Sequence, residues 1–486
     1  EVQWIPEWGE ERIKGMVRDR SDWCISRQRT WGVPIPVIYC KDCGKPIFTD
    51  ETIKAIADLF RAEGSDAWWV KDASEFIPAS VKCDCGCGEF TKEYDIMDVW
   101  FDSGVSHTAV MDDFDSLTWP ADLYLEGADQ YRGWFQSALL TSVVYKGTAP
   151  YKAVCTHGWV VDGEGKVMHK SLGNGVDPKE VIDQYGADIL RLWVASSDYH
   201  SDIRMSKTIL GQLSDAYKKI RNTARYILGN LGNGEGFKPD TDCVSYDKLT
   251  ELDKWAMMKL DALIDTVKDG YEKYDFHIAF HAIHNFCVVD MSNFYLDIIK
   301  DRLYCEKENA EIRRAAQTVM YRILSALTRL MAPIITYTAE EIWQFMPHGS
   351  EDDTQSVFLN DMPVKSGITY SDEFVEKWNF IYAAREAANK ALEEARNAKT
   401  IGKSLEAKII IKADEDYDRY AELAQQLTEA LIVSDVVVEK AEGETAFVVE
   451  TAEGEKCERC WCYSTTVGTD CNHPTLCKRC AVAIEL

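Results

Sequence analysis

No stretch of this 486-residue chain reads as a run of about 20 uncharged apolar residues, which argues against a transmembrane helix. The opening residues, EVQWIPEWGEERIKG, lack the basic n-region and apolar h-region of a secretory signal. They do not read as a natural start either, and an upstream part is expected. Internal repeats and low-complexity tracts are lacking too, apart from a likeness between two cysteine-rich segments. Positive charge is scarce: 54 Lys and Arg face 81 Asp and Glu, a formal net charge of −27. Spread evenly, that charge would repel a polyanion, so any contact with nucleic acid has to use local basic patches. The plainer reading of the acidity is solubility.

Cysteine, by contrast, is plentiful. Nine of the 16 cysteines lie in three compact groups with metal-site spacing, which favours a reducing cytoplasm over a disulfide scaffold. The length predicts about two to four domains. Residues 1–210 mix short apolar runs (VIYC, DLYLEG, KAVCTHGWVV) with helical stretches such as SALLTSVVYKG, which reads as amphipathic. The strand–helix–strand order predicts a parallel α/β sheet, interrupted by a zinc-ribbon-like insertion over about 40–92. Residues 211–380 carry apolar positions at three- and four-residue spacing and predict a helical bundle, with Pro333 kinking or interrupting one helix. A helix and a small β-α-β-β module follow over 381–455, then a cysteine-rich tail over 456–486.

The tail reads Cys457-x-x-Cys460, then Cys477-x-x-Cys480, a spacing that places four thiolates around a tetrahedral zinc. Unpaired thiols or a disulfide pair are the alternative. Cys462 and Cys471 are spare thiols that could substitute as ligands. Trp461, Arg459, Lys478 and Arg479 make the tail locally basic and aromatic, which suits phosphate contact and base stacking. In the insertion, Cys40-x-x-Cys43 is one good knuckle. Its partner offers three candidates, Cys83, Cys85 and Cys87, of which two are expected to bind.

Two further places can carry chemistry. The loop Lys166-Val167-Met168-His169-Lys170-Ser171-Leu172-Gly173-Asn174 follows a strand and can fold over a triphosphate, neutralising charge on departing pyrophosphate. An ordinary polar turn is the competing reading. Upstream, Glu126, Asp129 and Gln130 sit at a strand end, where two carboxylates and an amide can hold ribose hydroxyls or an ammonium. Trp134 and Trp100 can wall an apolar pocket there. Against this, a carboxylate with Arg132 could simply brace the next helix, and an isolated WF pair is often core.

Taken in order, DWCISRQRTWGVPIP, MDVWFDSG, LEGADQYRGWF, the MHKSLGN loop, ASSDYHSDIRMS, YKKIRNTARYILGNL, DFHIAFHAIHNF and the terminal CERCW…HPTLCKRC resemble isoleucyl-tRNA synthetases along essentially the whole chain. The resemblance implies a multidomain α/β plus all-α protein. Its parts would be the C-terminal half of a class I Rossmann-like catalytic domain with a zinc-ribbon insertion, a helical anticodon-binding domain, a small α/β module and a zinc finger. It implies isoleucine, MgATP and tRNA(Ile) as partners, zinc as cofactor, and a cytoplasmic monomer. Glu126 would bind the aminoacyl-adenylate, Asp129 would lie near the ribose and Gln130 near the ammonium. Trp100 and Trp134 would line the isoleucine pocket. Lys170 would contact ATP phosphates, with Ser171 and His169 beside it as further catalytic candidates, and Cys457, Cys460, Cys477 and Cys480 would hold the terminal zinc. Basic contacts for tRNA are expected from Lys218, Lys219, Arg221 and Arg225 on one helix and from Lys478 and Arg479.

Two departures stand out. The family's KMSKS pattern is here Val167-Met168-His169-Lys170-Ser171, with Lys166 one place early, and His169 is expected to make activation pH-dependent near neutrality. A HIGH-type motif is also lacking, since His281-Ala-Ile-His284 has the wrong spacing and lies in the helical region. Without that half and without the family's editing domain, the 486 residues are expected to be inactive alone.

Overall fold

The computed structural model describes residues 1–232 and 236–484, without the Lys170 side chain. The chain divides into two compact units, one of residues 1–161 and 199–203, the other of 162–198 and 204–486. The division at Val161 falls inside the stretch 1–210 expected as one domain, because the segment after it packs with the helical bundle. There, Asp188 accepts from the backbone N–H groups of Tyr337 (3.2 Å) and Thr338 (2.7 Å), satisfying donors in the first turn of the Thr336–Phe345 helix.

The first unit is built on a three-stranded parallel sheet. Tyr151–His157 lies in the middle, with Gln3–Ile5 on one side and Ala121–Gly127 on the other. Two consecutive parallel strands need a crossover, and the Trp134–Lys146 helix supplies it, ending at Gly147 in the left-handed region (φ 78°). This helix is not amphipathic as the sequence reading had it. Its buried side includes Phe135, Ala138 and Ser142, while Val143, Val144 and Tyr145 on its last turns are exposed. The apolar run KAVCTHGWVV is also broken, into Tyr151–His157 and Val160–Val161.

The insertion has its own antiparallel sheet, Pro46–Ile47, Ile38–Cys40 and Phe90–Lys92, so the VIYC strand belongs here and not to the parallel sheet. A separate small core around the fully buried Trp68 holds it together.

In the second unit, Lys207–Leu231, Glu251–Glu272, Phe276–Asn285, Glu311–Met331 and Thr336–Phe345 form the bundle. Ser206 caps the first of these and Gly232 (φ 80°) ends it; a Thr250–Asp253 capping box starts the second. Pro333 does not kink a continuing helix: Glu311–Met331 stops two residues before it. Phe286–Tyr295 is wound as a π-helix. After the long Asp372–Asn397 helix comes the α/β module, with Ala407–Ala413 paired parallel to Asp435–Lys440 and antiparallel to Ala446–Thr451. One buried core runs from Leu192 to Val436, so module and bundle are packed as one body. Among the described residues no helix is long and apolar enough to cross a membrane.

Candidate active site and metal centres

At the C-terminal end of Ala121–Gly127 the chain enters a 3-10 turn, Ala128–Arg132, before the Trp134 helix. Glu126 is part of the parallel ladder, opposite Thr156, and its carboxylate lies 3.9 Å from His157 Nε2. His157 is turned this way because its Nδ1 donates to the Gly158 carbonyl (2.8 Å). Gln130 Nε2 donates to Asp129 (3.0 Å), and Gln130 Oε1 accepts from the Trp134 N–H (3.0 Å). The amide, not a carboxylate with Arg132, therefore braces the start of the helix. Gly133 is needed for this closeness: a Cβ there would lie 2.6 Å from Gln130 Oε1 and 3.5 Å from Trp100.

The two tryptophans are held by neighbouring elements. Trp134 stacks on Tyr124 at 4.3 Å, and its Nε1 donates to the Ser103 carbonyl (2.9 Å) on the Val99–Gly104 helix that carries Trp100. That helix starts at Asp98, which caps Trp100 N (3.0 Å), pairs with Arg27 and accepts from Trp23 Nε1. Trp100 itself remains 46% exposed, free to face a ligand. The strand end thus offers two carboxylates, an amide, an imidazole and an open indole.

In the second unit, Asp162 and Asn174 pin the two ends of the lysine-bearing loop. Asp162 accepts from the N–H groups of Glu164 (3.0 Å) and Lys166 (2.9 Å) and from Asn174 Nδ2 (2.9 Å). These bonds, that from Asn174 foremost, hold its carboxyl below the usual range. Asn174 in turn accepts from the His169 N–H (2.9 Å). His169 and Ser171 are exposed, and Lys166 pairs with Glu164 (2.7 Å); the Lys170 side chain lies outside the described residues.

Both cysteine clusters close. The Sγ atoms of Cys40, Cys43, Cys83 and Cys85 lie within 4.8 Å of one another, as do those of Cys457, Cys460, Cys477 and Cys480. Contacts such as Cys40–Cys85 (3.6 Å), Cys43–Cys83 (3.5 Å) and Cys460–Cys477 (3.8 Å) approach the roughly 3.8 Å between sulfurs of a tetrahedral zinc with about 2.3 Å bonds. The backbone N–H groups of Cys43 and Asp42 hold the Cys40 thiol down at about 6, and the Cys462 thiol holds Cys460 at about 4, so each cluster has a thiolate ready. The donor sets suit zinc. Cys87 stands outside the first cluster, accepting from the Glu89 N–H (3.3 Å). Cys462 groups with Asp301 and Cys460, and Cys471 is exposed.

Lys218, Lys219, Arg221 and Arg225 all lie exposed on Lys207–Leu231, with Lys218 paired to Asp215 (2.9 Å). In the tail, Lys478 is exposed, but Arg479 makes a two-pronged pair with Asp301 (2.5 and 2.7 Å). Arg459 Nε donates to the Cys305 carbonyl (3.2 Å), so both arginines fasten the tail to the bundle.

Residues 1–206 match the family model for class I tRNA synthetases (I, L, M and V), residues 253–411 the anticodon-binding domain of tRNA ligase, and residues 454–482 the zinc finger found in FPG and IleRS. Along its whole length the chain is 53% identical to an isoleucine–tRNA ligase of Caldanaerobacter subterraneus subsp. tengcongensis and 54% identical to one of Caldicellulosiruptor bescii, spanning 53% of each. The chain belongs to the isoleucyl-tRNA synthetase family. It spans about half the length of the curated relatives it matches. Two solved structures share the synthetase fold with it. One is the leucyl-tRNA synthetase of Agrobacterium radiobacter K84 in its ternary complex with tRNA and LeuAMS, with TM-score 0.53, 21% identity, and 74% of this chain and 46% of that one covered. The other is Mycobacterium tuberculosis methionyl-tRNA synthetase with methionyl-adenylate, with TM-score 0.51, 19% identity, and coverage of 74% and 60%.

Of the isoleucyl-tRNA synthetase residues singled out in the sequence, Glu126, Asp129, Gln130, Trp100 and Trp134 come together at one strand end of the first unit. His169 and Ser171 sit on the pinned loop of the second. The sequence reading gave no role to His157, which only the parallel register sets opposite Gly127, nor to Asp162 and Asn174 as loop anchors. For those two, the Asp-Gly and Gly-Asn pairs flanking the loop were the available signal.

Proposed function

We propose that the intact protein activates isoleucine with ATP and transfers it to tRNA(Ile). A carboxylate oxygen of isoleucine attacks the α-phosphorus of MgATP, the bond to the bridging oxygen breaks, and pyrophosphate leaves. A hydroxyl of the tRNA's terminal ribose then attacks the adenylate's carbonyl carbon and AMP leaves. No side chain forms a covalent bond; the protein positions reactants and stabilises charge. Glu126 holds the adenylate, Asp129 the ribose and Gln130 the ammonium, while Trp100 and Trp134 flank the isoleucine side chain. Lys170, with His169 and Ser171, meets the ATP phosphates. Lys219, Arg221, Arg225 and Lys478 contact tRNA, while Lys218 is already paired with Asp215; the protein works as a monomer, in the cytoplasm, where thiols with metal spacing stay reduced.

The observation that carries this reading is the set of acidic and amide groups at the C-terminal end of a parallel strand, where open α/β sheets bind ligands. Isoleucine-dependent ATP–pyrophosphate exchange tests it. In the full-length protein, Glu126→Gln and Asp129→Ala are expected to lower exchange by at least about tenfold, as loss of a positioned polar group does; unchanged exchange would refute the assignment. For the 486 residues by themselves the match to an anticodon-binding domain and a zinc finger favours a second reading, a tRNA-binding module without exchange activity. Exchange by this chain alone overturns that second reading.

A further inference from the structure

Behind the two tryptophans of the first unit, two helices are fastened to each other. Val99–Gly104 carries Trp100 and Trp134–Lys146 begins at Trp134, so the closeness of these helices sets how the two indoles stand. Two rungs join them. Trp134 Nε1 donates to the Ser103 carbonyl (2.9 Å), and Thr141 Oγ1, two turns further along the same helix face, donates to the Gly104 carbonyl (2.6 Å). Between the rungs Gly104 packs on Ser137, where a Cβ would lie 3.1 Å from that residue's backbone and side chain. The two helices are as close as a glycine permits.

The second rung has competitors. Thr141 Oγ1 also lies 2.9 Å from the Ser137 carbonyl and 3.1 Å from that of Ala138, both in its own helix, and a hydroxyl has one proton to give. What favours the bond across is His107, on the short Ser106–Ala109 helix that follows the Trp100 helix, with its Nε2 3.2 Å from the same oxygen. Since the hydroxyl proton goes to a carbonyl, the imidazole has to donate, through Nε2–H. One hydroxyl is thus clasped by an acceptor and a donor of the same segment, which its own helix cannot offer. His107 is 1% exposed; burial, with the charge of Lys146 (itself paired with Asp112), holds its pKa below the usual histidine range, so the ring stays neutral. Its Nδ1 is buried with no partner among the described residues. A side chain that merely filled this space would be apolar, because a buried nitrogen without a partner costs free energy. The imidazole is there for its Nε2.

We propose that His107 is a positioning residue for amino-acid selection: through Thr141 it clamps the Trp100 helix to the Trp134 helix and so fixes the spacing of the two indole walls. This rests on the reading of those tryptophans as the isoleucine side-chain pocket and adds what sets its width. Dispersion attraction falls away within a fraction of an ångström, so walls held close favour the side chain that fills the gap over one a methylene smaller.

ATP–pyrophosphate exchange by the full-length protein, with isoleucine and with valine, tests it. His107→Ala and Thr141→Val are each expected to raise KM for isoleucine about 3- to 10-fold, the worth of one hydrogen bond, with kcat and KM for ATP within about twofold of wild type. The preference for isoleucine over valine in kcat/KM should fall with them, and the double variant should be no worse than either single one, since both cut the same tether. His107→Gln, whose amide nitrogen reaches the place of Nε2, should restore KM, whereas His107→Asn, which replaces Nδ1 alone, should not. That contrast decides the matter if His107→Ala does not fold. KM and preference unchanged in His107→Ala and Thr141→Val overturn the proposal; the pocket reading survives if Trp100→Ala still raises KM for isoleucine, and both fall if it does not. Equal losses in kcat and in KM for ATP, without rescue by glutamine, would mark lost packing and overturn the positioning role.

Discussion

Arg302 keeps its charge with 6% of its side chain exposed, opposite Asp253, which is fully buried. Its Nη1 lies 3.2 Å from Asp253 Oδ2 and Nη2 2.6 Å from Glu429 Oε1, while the Tyr295 hydroxyl donates to the other Asp253 oxygen (2.7 Å). The group ties a bundle helix, the π-helix and the module helix Ala424–Leu431 into one knot. Removing one partner leaves buried charge uncompensated, so Asp253→Ala is expected to cost about 3–5 kcal/mol, read as a lowered midpoint in urea unfolding. Asp352 is a second such residue. Burial alone would raise its carboxyl, but the His348 imidazole 3.8 Å away, the Gly349 N–H that donates to it (3.0 Å) and the Arg329 charge more than offset this and hold it at about 2. A depressed carboxyl stabilises fully above its unfolded value of about 4, and the benefit fades as pH falls towards 2. The melting-temperature gap between wild type and Asp352→Asn should therefore be widest at pH 5 and above and narrow steadily by pH 3. A gap independent of pH would contradict this account of Asp352.

The cysteine knuckles show what spacing can and cannot reveal about an element. Two C-x-x-C pairs announce the tail site, because a knuckle fixes both sulfurs within one turn. The irregular Cys83-x-Cys85-x-Cys87 left three candidates for two places. Backbone conformation decides between them: Gly86, at φ 89°, donates to the Cys83 carbonyl (2.7 Å), and the tight turn folds Cys85 back onto Cys40 while Cys87 faces Glu89. Two zincs per chain are expected by atomic emission; Cys85→Ser should lower this to about one and Cys87→Ser should leave it unchanged. Loss of zinc on Cys87→Ser would reverse the assignment. Helices were legible for a related reason, since three- and four-residue spacing marks a buried face. The Trp134–Lys146 helix was misjudged as amphipathic because its apolar residues surround it. The Glu126–His157 pair was not legible at all, since it depends on which strands pair and in what register. Gly158 belongs to the same class: a Cβ there would run into the backbone of Ser201 and Asp202, a crossing no local pattern announces. Gly158→Ala is expected to destabilise the first unit by roughly 1–3 kcal/mol, as overpacking does, measurable by thermal unfolding.

At the scale of the whole molecule, an acidic chain that is to hold an RNA has to keep some cations free of its own carboxylates. The structure separates those that are free from those already neutralised. Lys218 is paired with Asp215, and Arg479 is locked to Asp301 at 2.5 and 2.7 Å, whereas no ion pair engages Lys219, Arg221 or Arg225 among the described residues. A cation releases a counterion from RNA only when its charge is not already cancelled within the protein. Each free cation in contact with a phosphate contributes about 0.7 to 1 to the slope of log K against log salt concentration. The combined Lys219→Ala, Arg221→Ala and Arg225→Ala variant is therefore expected to flatten the slope for tRNA(Ile) binding by about 2 to 3. Arg479→Ala, although it removes a tail residue that sequence reading placed among the tRNA contacts, is expected to leave the slope unchanged. Its cost should appear instead as easier proteolysis of the tail, which loses its hold on the bundle. Titration of the chain with transcript at several potassium chloride concentrations checks both; an Arg479→Ala slope as flattened as that of the triple variant would mean that RNA displaces Asp301 from its partner.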